Sequence, residues 1–88
     1  MVERQIKVIN ALGIHARPAS KIVQTANGFA SQISLIKDTT RADAKSILHV
    51  MMLGANFGST VTIKASGNDE DQAVEAVAAL FERKFDED

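Results

Sequence analysis

The segment HARPASKIVQTANG, residues 15–28, marks both ends of one helix. Four apolar residues fall at helical spacing and form one stripe: Ala19, Ile22, Val23 and Ala26. Pro18 is tolerated only in the first turn, where amide groups lack an intrahelical acceptor. The sequence therefore predicts a helix over residues 16–27 that begins beside His15 and stops at Asn27-Gly28.

Elsewhere in the chain, apolar residues recur at every second position, which is typical of strands. Alternation predicts strands over residues 2–8, 31–37, about 40–43 and 59–66. A short helix over residues 47–53 is expected between Ser46, a plausible N-cap, and Gly54.

A last helix is expected after Asn68-Asp69-Glu70-Asp71, which supplies a cap and an acidic first turn, with a stripe of Val74, Val77 and Phe81. The order β-α-β-β-α-β-α predicts one α+β domain over residues 1–88. We expect an open-faced sandwich, in which three helices cover one face of a four-stranded, largely antiparallel sheet.

The composition narrows the class of protein further. The chain has 88 residues and no cysteine, which fits one small domain and excludes a disulfide framework or a thiolate zinc site. It has no apolar run near about 18 residues, so no membrane span is expected. The start, MVERQIKVIN, lacks the apolar region of a secretory signal, and we expect a cytoplasmic protein.

Charge is divided unevenly along the chain. Residues 1–64 carry eight Lys or Arg and three Asp or Glu, whereas residues 65–88 carry two and eight. This asymmetry indicates either a surface with a positive side or ordinary placement of charges at helix ends. In the first case, Arg17, Lys21 and Lys45 could form a basic rim that meets acidic partners.

The sequence lacks the motifs of most enzyme classes and metal sites. It has no Gly-rich phosphate loop and no calcium-loop spacing, and no second catalytic group accompanies His15. His15 and His49 lie apart and have no patterned carboxylate nearby, so neither a metal nor another cofactor is predicted. The chain has no Trp or Tyr and only four Phe, which disfavours nucleic-acid binding on the sheet.

One segment, NALGIHARPAS at residues 10–20, combines groups that suit phosphate chemistry. His15 precedes a helix whose first amides lack intrahelical acceptors, and the helix dipole adds positive potential there. Arg17 adds a guanidinium suited to phosphoryl oxygens, and a neutral imidazole can accept a phosphoryl group. The segment indicates either a phosphohistidine site or a histidine that caps the helix above a basic turn.

Two motifs resemble those of one family. GIHARPA, residues 13–19, resembles the active-site motif of the HPr family, the histidine-containing phosphocarriers of the bacterial phosphoenolpyruvate:sugar phosphotransferase system. KSILHVMMLG, residues 45–54, resembles that family's regulatory serine motif. The separation of the motifs and the order of the elements also match, along essentially the whole chain. The resemblance therefore implies the HPr-like fold.

The resemblance implies a phosphoryl relay rather than an enzyme. Enzyme I would pass a phosphoryl group from phosphoenolpyruvate to Nδ1 of His15, and the chain, as a monomer, would pass it to the IIA domains of sugar permeases. Arg17 would steady the phosphate, which the amides of Ala16 and Arg17 would face, and Pro18 would fix the helix start.

The second motif implies regulation at Ser46. HPr kinase/phosphorylase would phosphorylate Ser46 with ATP, which would connect the chain to carbon catabolite control and to a catabolite-control transcription factor. A phosphate adds about −1.5 to −2 charge and is tolerated at a helix N-terminus. We therefore expect slower uptake from enzyme I rather than unfolding. The alternative is that Ser46 is only the N-cap of the short helix.

The short helix is too apolar to bury every side chain, so part of it should form an exposed patch. The resemblance assigns Ile47, Leu48 and Met51 to partner contact. We expect at least one methionine to fill the core and His49 to be solvated. The alternative function is an HPr-like paralogue in a regulatory, nitrogen-related phosphotransferase chain without sugar import.

Overall fold

The predicted order of strands and helices is confirmed by the structure, a computed structural model that describes residues 1–87. The elements are β1 (Val2–Lys7), α1 (Ala16–Ala26), β2 (Gln32–Lys37), β3 (Thr40–Asp43), α2 (Ile47–Met52), β4 (Thr60–Ser66) and α3 (Glu70–Glu82). A single 3₁₀ turn, Lys84–Asp86, follows α3 and is called the C-terminal turn below. None of the helices in residues 1–87 is long and apolar enough to cross a membrane.

The four strands form one antiparallel sheet in the order β1-β4-β2-β3. Across β2 and β4, Leu35 lies opposite Ile63 and Ile33 lies opposite Ala65, so these side chains share one face. All four are buried, whereas the residues that alternate with them are more exposed. One face of the sheet is therefore covered and the other is open, which confirms the predicted open-faced sandwich.

The core lies between the covered face and the helices. Ile22 of α1, Val50 of α2 and Phe81 of α3 are each fully buried. They pack in one cluster with the apolar side chains of the sheet. Burial of a side chain of this size stabilises the fold by about 1.5–3 kcal/mol. The stripes predicted on α1 and α3 are thus the surfaces that hold the helices on the sheet.

The loop between β1 and α1 is held against the segment that precedes β4. Gly13 has φ +68, and a Cβ there would lie 2.7 Å from the carbonyl oxygen of Ala55. The next amide, that of Ile14, donates to the same oxygen at 2.9 Å. The position requires glycine for both its conformation and its close approach to the neighbouring backbone. This contact fixes the backbone immediately before His15.

The N-cap residue of α3 and its acidic first turn lie within residues 68–71, as predicted, but no side chain makes the cap hydrogen bond. Asp69 occupies the N-cap position, but its side chain makes no cap hydrogen bond. Instead, its carboxylate accepts from the amides of Ala30 and Ser31, each at 2.9 Å, and from the Ser31 hydroxyl. The hydroxyl bond is the main reason that the pKa of Asp69 lies below its usual value. Asp69 therefore ties the start of α3 to the segment before β2.

The C-terminal turn has an unusual backbone. Lys84, Phe85 and Asp86 have φ of 55°, 56° and 61°, in the left-handed region, which costs about 1–2 kcal/mol for each residue. Phe85 is fully buried, and its ring meets that of Phe81 edge to face with centroids 4.8 Å apart. Burial of Phe85 offsets part of the strain by about 1.5–3 kcal/mol. Asp88, the last residue of the acidic tail, lies outside the described residues.

Candidate functional site

His15 lies immediately before α1 in an extended conformation, with φ −92 and ψ −166. Its carbonyl oxygen accepts the first helical bond, from the Ala19 amide at 3.0 Å. Its side chain is 37% exposed and makes no cap hydrogen bond to the helix. The alternative of a histidine whose ring caps the helix is therefore wrong, and the imidazole remains accessible for chemistry.

The start of α1 offers free donors beside this imidazole. Pro18 has no N–H, and Ala19 is the first residue whose amide bonds back to the turn. Within residues 1–87, the amides of Ala16 and Arg17 have no acceptor, and the first turn holds no acidic residue. Free amides and the helix dipole together favour an anion at this position. Arg17 is exposed and adds a positive charge.

A carboxylate from the far end of the chain lies at this site. Glu87 Oε1 is 3.0 Å from His15 Nε2 and 3.0 Å from Asn10 Nδ2. The hydrogen bond from His15, followed by that from Asn10, holds the pKa of Glu87 below its usual range, and the charge of Arg17 adds a smaller effect. Sequence reasoning missed both Glu87 and Asn10 as site residues. The available signal was the acidic tail that begins at Asp86.

The two lysines of the predicted basic rim are engaged within the chain. Lys21 Nζ donates to the carbonyl oxygen of Phe85 at 2.9 Å and to Asp86 Oδ2 at 3.1 Å. Lys45 Nζ donates to the carbonyl oxygen of Phe29 at 2.8 Å. Both ammonium groups thus serve intramolecular contacts, and Lys21 holds the C-terminal turn next to α1.

Ser46 occupies the N-cap position of α2, as predicted. Its hydroxyl oxygen accepts from the His49 amide at 3.3 Å, and its own amide donates to the carbonyl oxygen of Asp43 at 3.0 Å. Ser46 is partly exposed. His49 is exposed, in agreement with a solvated helix histidine.

The predicted apolar patch is present on the outer face of α2. Exposed fractions are 46% for Ile47, 64% for Leu48 and 45% for Met51. The expectation that one methionine fills the core is wrong, because Met1, Met51 and Met52 are all exposed. The buried positions of this segment are taken by other apolar residues. Because α1 packs against α2, the patch and the start of α1 belong to neighbouring elements.

Comparisons with known proteins agree with this arrangement. The family model described as "PTS HPr component phosphorylation site" matches residues 2–83. The chain is 45% identical to phosphocarrier protein HPr of Cupriavidus necator over 87 residues, which cover 99% of this chain and 98% of that protein. It is 40% identical to phosphocarrier protein NPr of Shewanella violacea over 86 residues, with coverage of 98% and 94%.

A solved structure gives the same result for the fold. The crystal structure of HPr-C-His from Thermoanaerobacter tengcongensis superposes with a TM-score of 0.96 at 45% identity and covers 100% of this chain and 99% of that one. The two relatives of this chain named above are phosphocarriers, which carry phosphate and are not themselves enzymes. The chain, whose exposed histidine precedes a helix with free amides, belongs to the HPr family of phosphocarrier proteins.

Proposed function

We propose that this chain carries a phosphoryl group on His15 Nδ1 from enzyme I to the IIA domains of sugar permeases, in the cytoplasm. The observation that supports this most directly is the position of His15, which is partly exposed beside two free amides and an arginine. All of these groups come from one chain, so a monomer suffices. Family membership supplies the phosphotransferase context.

The chemistry required of the carrier is limited. The His15 imidazole provides a lone pair that forms the P–N bond, while Arg17 and the amides of Ala16 and Arg17 stabilise the phosphoryl oxygens. Because the group must leave again, the site has to hold it without burying it. The exposure of His15 suits transfer in both directions, and the partners supply most of the activation.

The direct test is incubation with enzyme I and phosphoenolpyruvate, followed by intact mass measurement. We expect a gain of one acid-labile phosphoryl group in the wild-type chain and none in His15→Ala. The matched control is His49→Ala, because His49 is the other histidine and is exposed on α2. Loss of phosphorylation in the control, or its persistence in His15→Ala, would place the acceptor elsewhere.

We propose that Ser46 is a second, regulatory site for HPr kinase/phosphorylase and ATP. The hydroxyl lies at the start of α2, directly before the exposed Ile47 and Leu48. A phosphate there adds negative charge at the edge of the apolar patch and leaves the core untouched. The effect should therefore fall on docking, including that of a catabolite-control transcription factor. Incubation with the kinase should give one acid-stable phosphate, absent in Ser46→Ala.

The surface that receives partners is proposed to be the patch of Ile47, Leu48 and Met51 together with Arg17. Methionine and leucine side chains adapt to several surfaces, which suits a carrier with more than one partner. Lys21 and Lys45 would contribute positive potential from their intramolecular positions. Such an interface should be small, because the partners must separate after each transfer.

The similarity to NPr of Shewanella violacea supports a second candidate, a regulatory phosphotransferase chain without sugar import. Both candidates use His15 in the same way, so phosphorylation alone does not separate them. Transfer rates from the phosphorylated chain to a sugar-specific IIA domain and to a nitrogen-related IIA domain do. We expect faster transfer to the sugar-specific domain, and the opposite order would favour the second candidate.

A further inference from the structure

The C-terminal tail contacts the candidate site through the carboxylate of Glu87. Glu87 Oε1 lies 3.0 Å from His15 Nε2, which is hydrogen-bond distance. Glu87 is only 15% exposed, and hydrogen bonds favour its ionised form. An ionised carboxylate can only accept a hydrogen bond, so Nε2 must be the donor. In neutral His15, the proton then lies on Nε2 and the lone pair lies on Nδ1.

Buried groups hold both the Glu87 carboxylate and the backbone that precedes it. Asn10 is fully buried and donates from Nδ2 to Glu87 Oε1 at 3.0 Å and to the carbonyl oxygen of Gly13 at 2.6 Å. Phe85 is buried in the core, and Lys21 binds its carbonyl oxygen. Asn10 thus contacts the carboxylate itself, while Phe85 and Lys21 anchor the backbone two residues earlier.

The backbone directly before Glu87 has an uncommon conformation. The three residues directly before Glu87 all have positive φ, and none of them is glycine. Glu87 itself is extended. Strained backbone of this kind persists only where surrounding contacts impose it, and it clusters at functional sites. These left-handed residues form the turn after α3 that places the Glu87 side chain beside His15.

We propose that Glu87 is a positioning residue that keeps the proton of neutral His15 on Nε2 and leaves Nδ1 ready to accept the phosphoryl group. The use of Nδ1 rests on the function proposed above. The location of the proton does not depend on that function, because it follows from the hydrogen bond alone. A carboxylate that orients a reacting imidazole through its other nitrogen is a general device in enzymes.

Phosphoryl transfer to His15 needs no reactant besides the phosphorylated donor. The Nδ1 lone pair forms the new P–N bond, and the bond between phosphorus and the donor atom of enzyme I breaks, its electron pair remaining with the donor. The proton stays on Nε2, so the ring becomes positively charged while the phosphoryl group is attached. Glu87 stabilises that charge through a charge-assisted hydrogen bond. The reverse transfer removes the charge and restores the neutral ring.

The first measurement is the tautomer of neutral His15, read from long-range proton–nitrogen spectra of the full chain labelled with ¹⁵N at histidine. In the wild type, we expect the form with the proton on Nε2 to dominate. In Glu87→Ala, we expect loss of that preference and a mixture of both forms. The control is Glu82→Ala, which also removes one C-terminal carboxylate, but one that binds Arg4 at 2.8 Å. It should keep the wild-type tautomer.

The second measurement is the rate of phosphoryl uptake from enzyme I. We expect Glu87→Ala to react about tenfold more slowly, the effect of about 1.4 kcal/mol in the barrier, whereas Glu82→Ala should be unchanged. An unchanged tautomer in Glu87→Ala would overturn the proposal. Faster uptake would also overturn it and would show that the tail obstructs the site. If the wild type has the expected tautomer but accepts no phosphoryl group, the proposed function fails while the proton placement stands.

Discussion

Lys21 connects the first helix to the end of the chain, because its Nζ lies 2.9 Å from the carbonyl oxygen of Phe85. A second bond runs from Nζ to the Asp86 carboxylate at 3.1 Å. The sequence predicts that Lys21 faces partner proteins. In the structure, Lys21 instead binds the left-handed turn that places Glu87 beside His15. A residue of the predicted basic rim therefore contributes to the site through the C-terminal turn.

Replacing Lys21 should loosen this connection. In Lys21→Met, which keeps most of the apolar stem, we expect the free energy of unfolding to fall by about 1 kcal/mol, because the Phe85 carbonyl loses its donor. Amide exchange at Asp86 and Glu87 should become faster, which hydrogen-exchange NMR measures. Lys7→Met, at an exposed position on β1, is the control and should change neither quantity. Equal exchange in both variants would show that Lys21 does not hold the turn.

Two glycines with similar backbone angles should respond differently to alanine. Gly54 has φ +71 and open space around the added Cβ, so Gly54→Ala should cost about 1–2 kcal/mol from backbone strain alone. At Gly13, a Cβ would also lie 2.7 Å from the Ala55 carbonyl oxygen and 2.8 Å from Asn56 Cα. Gly13→Ala should therefore cost more, by about a further 1–3 kcal/mol. Urea unfolding measures both, and equal losses would contradict the close approach.

Acid should weaken the attachment of α3 through Asp69. Its pKa is lowered in the folded protein, chiefly by the Ser31 hydroxyl bond. A lowered pKa stabilises the fold above the unfolded value, near 3.8, and this contribution is lost as pH falls through the lower folded value. Between neutral pH and about pH 3, Asp69→Asn should therefore lose less stability than the wild type.

Urea midpoints at neutral pH, about pH 4 and about pH 3 give this comparison. Glu70, Asp86 and Glu87 also have lowered pKa values, so part of the acid sensitivity should remain in Asp69→Asn. Asp71→Asn, at an exposed position in the first turn of α3, is the control. An acid response of Asp69→Asn identical to that of the wild type would contradict the role given to Asp69.

A negative charge at Ser46 should slow uptake from enzyme I without unfolding α2. Aspartate is itself a good N-cap, so Ser46→Asp keeps the helix start. A unit charge about 6 Å from a partner carboxylate costs about 3 kcal/mol at an effective dielectric of about 20, less the effect of salt. We expect uptake to slow by about tenfold to a hundredfold. Ser66→Asp, at the exposed end of β4, is the control, and equal rates in both variants would count against regulation at Ser46.

Much of the fold could be predicted from the sequence because its signals are local. Pro18 can only stand near a helix start, and β3 was expected at the residues where it lies, Thr40–Asp43. Local motifs also predict that His15 and Ser46 lie directly before helices, and the structure has both at N-cap positions.

The Glu87 contact could not be predicted in this way, because it joins positions 72 residues apart and depends on positive φ at residues that seldom adopt it. Asp69 shows the same limit on a smaller scale. Its residue type and position predict a side-chain cap, but its carboxylate binds the amides of Ala30 and Ser31 instead.

The most direct test of the central claim is the atom that carries phosphorus after reaction with enzyme I and phosphoenolpyruvate. The full chain, labelled with ¹⁵N at histidine, would be phosphorylated and examined for phosphorus–nitrogen coupling. We predict coupling at Nδ1 of His15, with Nε2 of the same ring still protonated. Coupling at Nε2 of His15, at either nitrogen of His49, or at neither histidine would contradict the account.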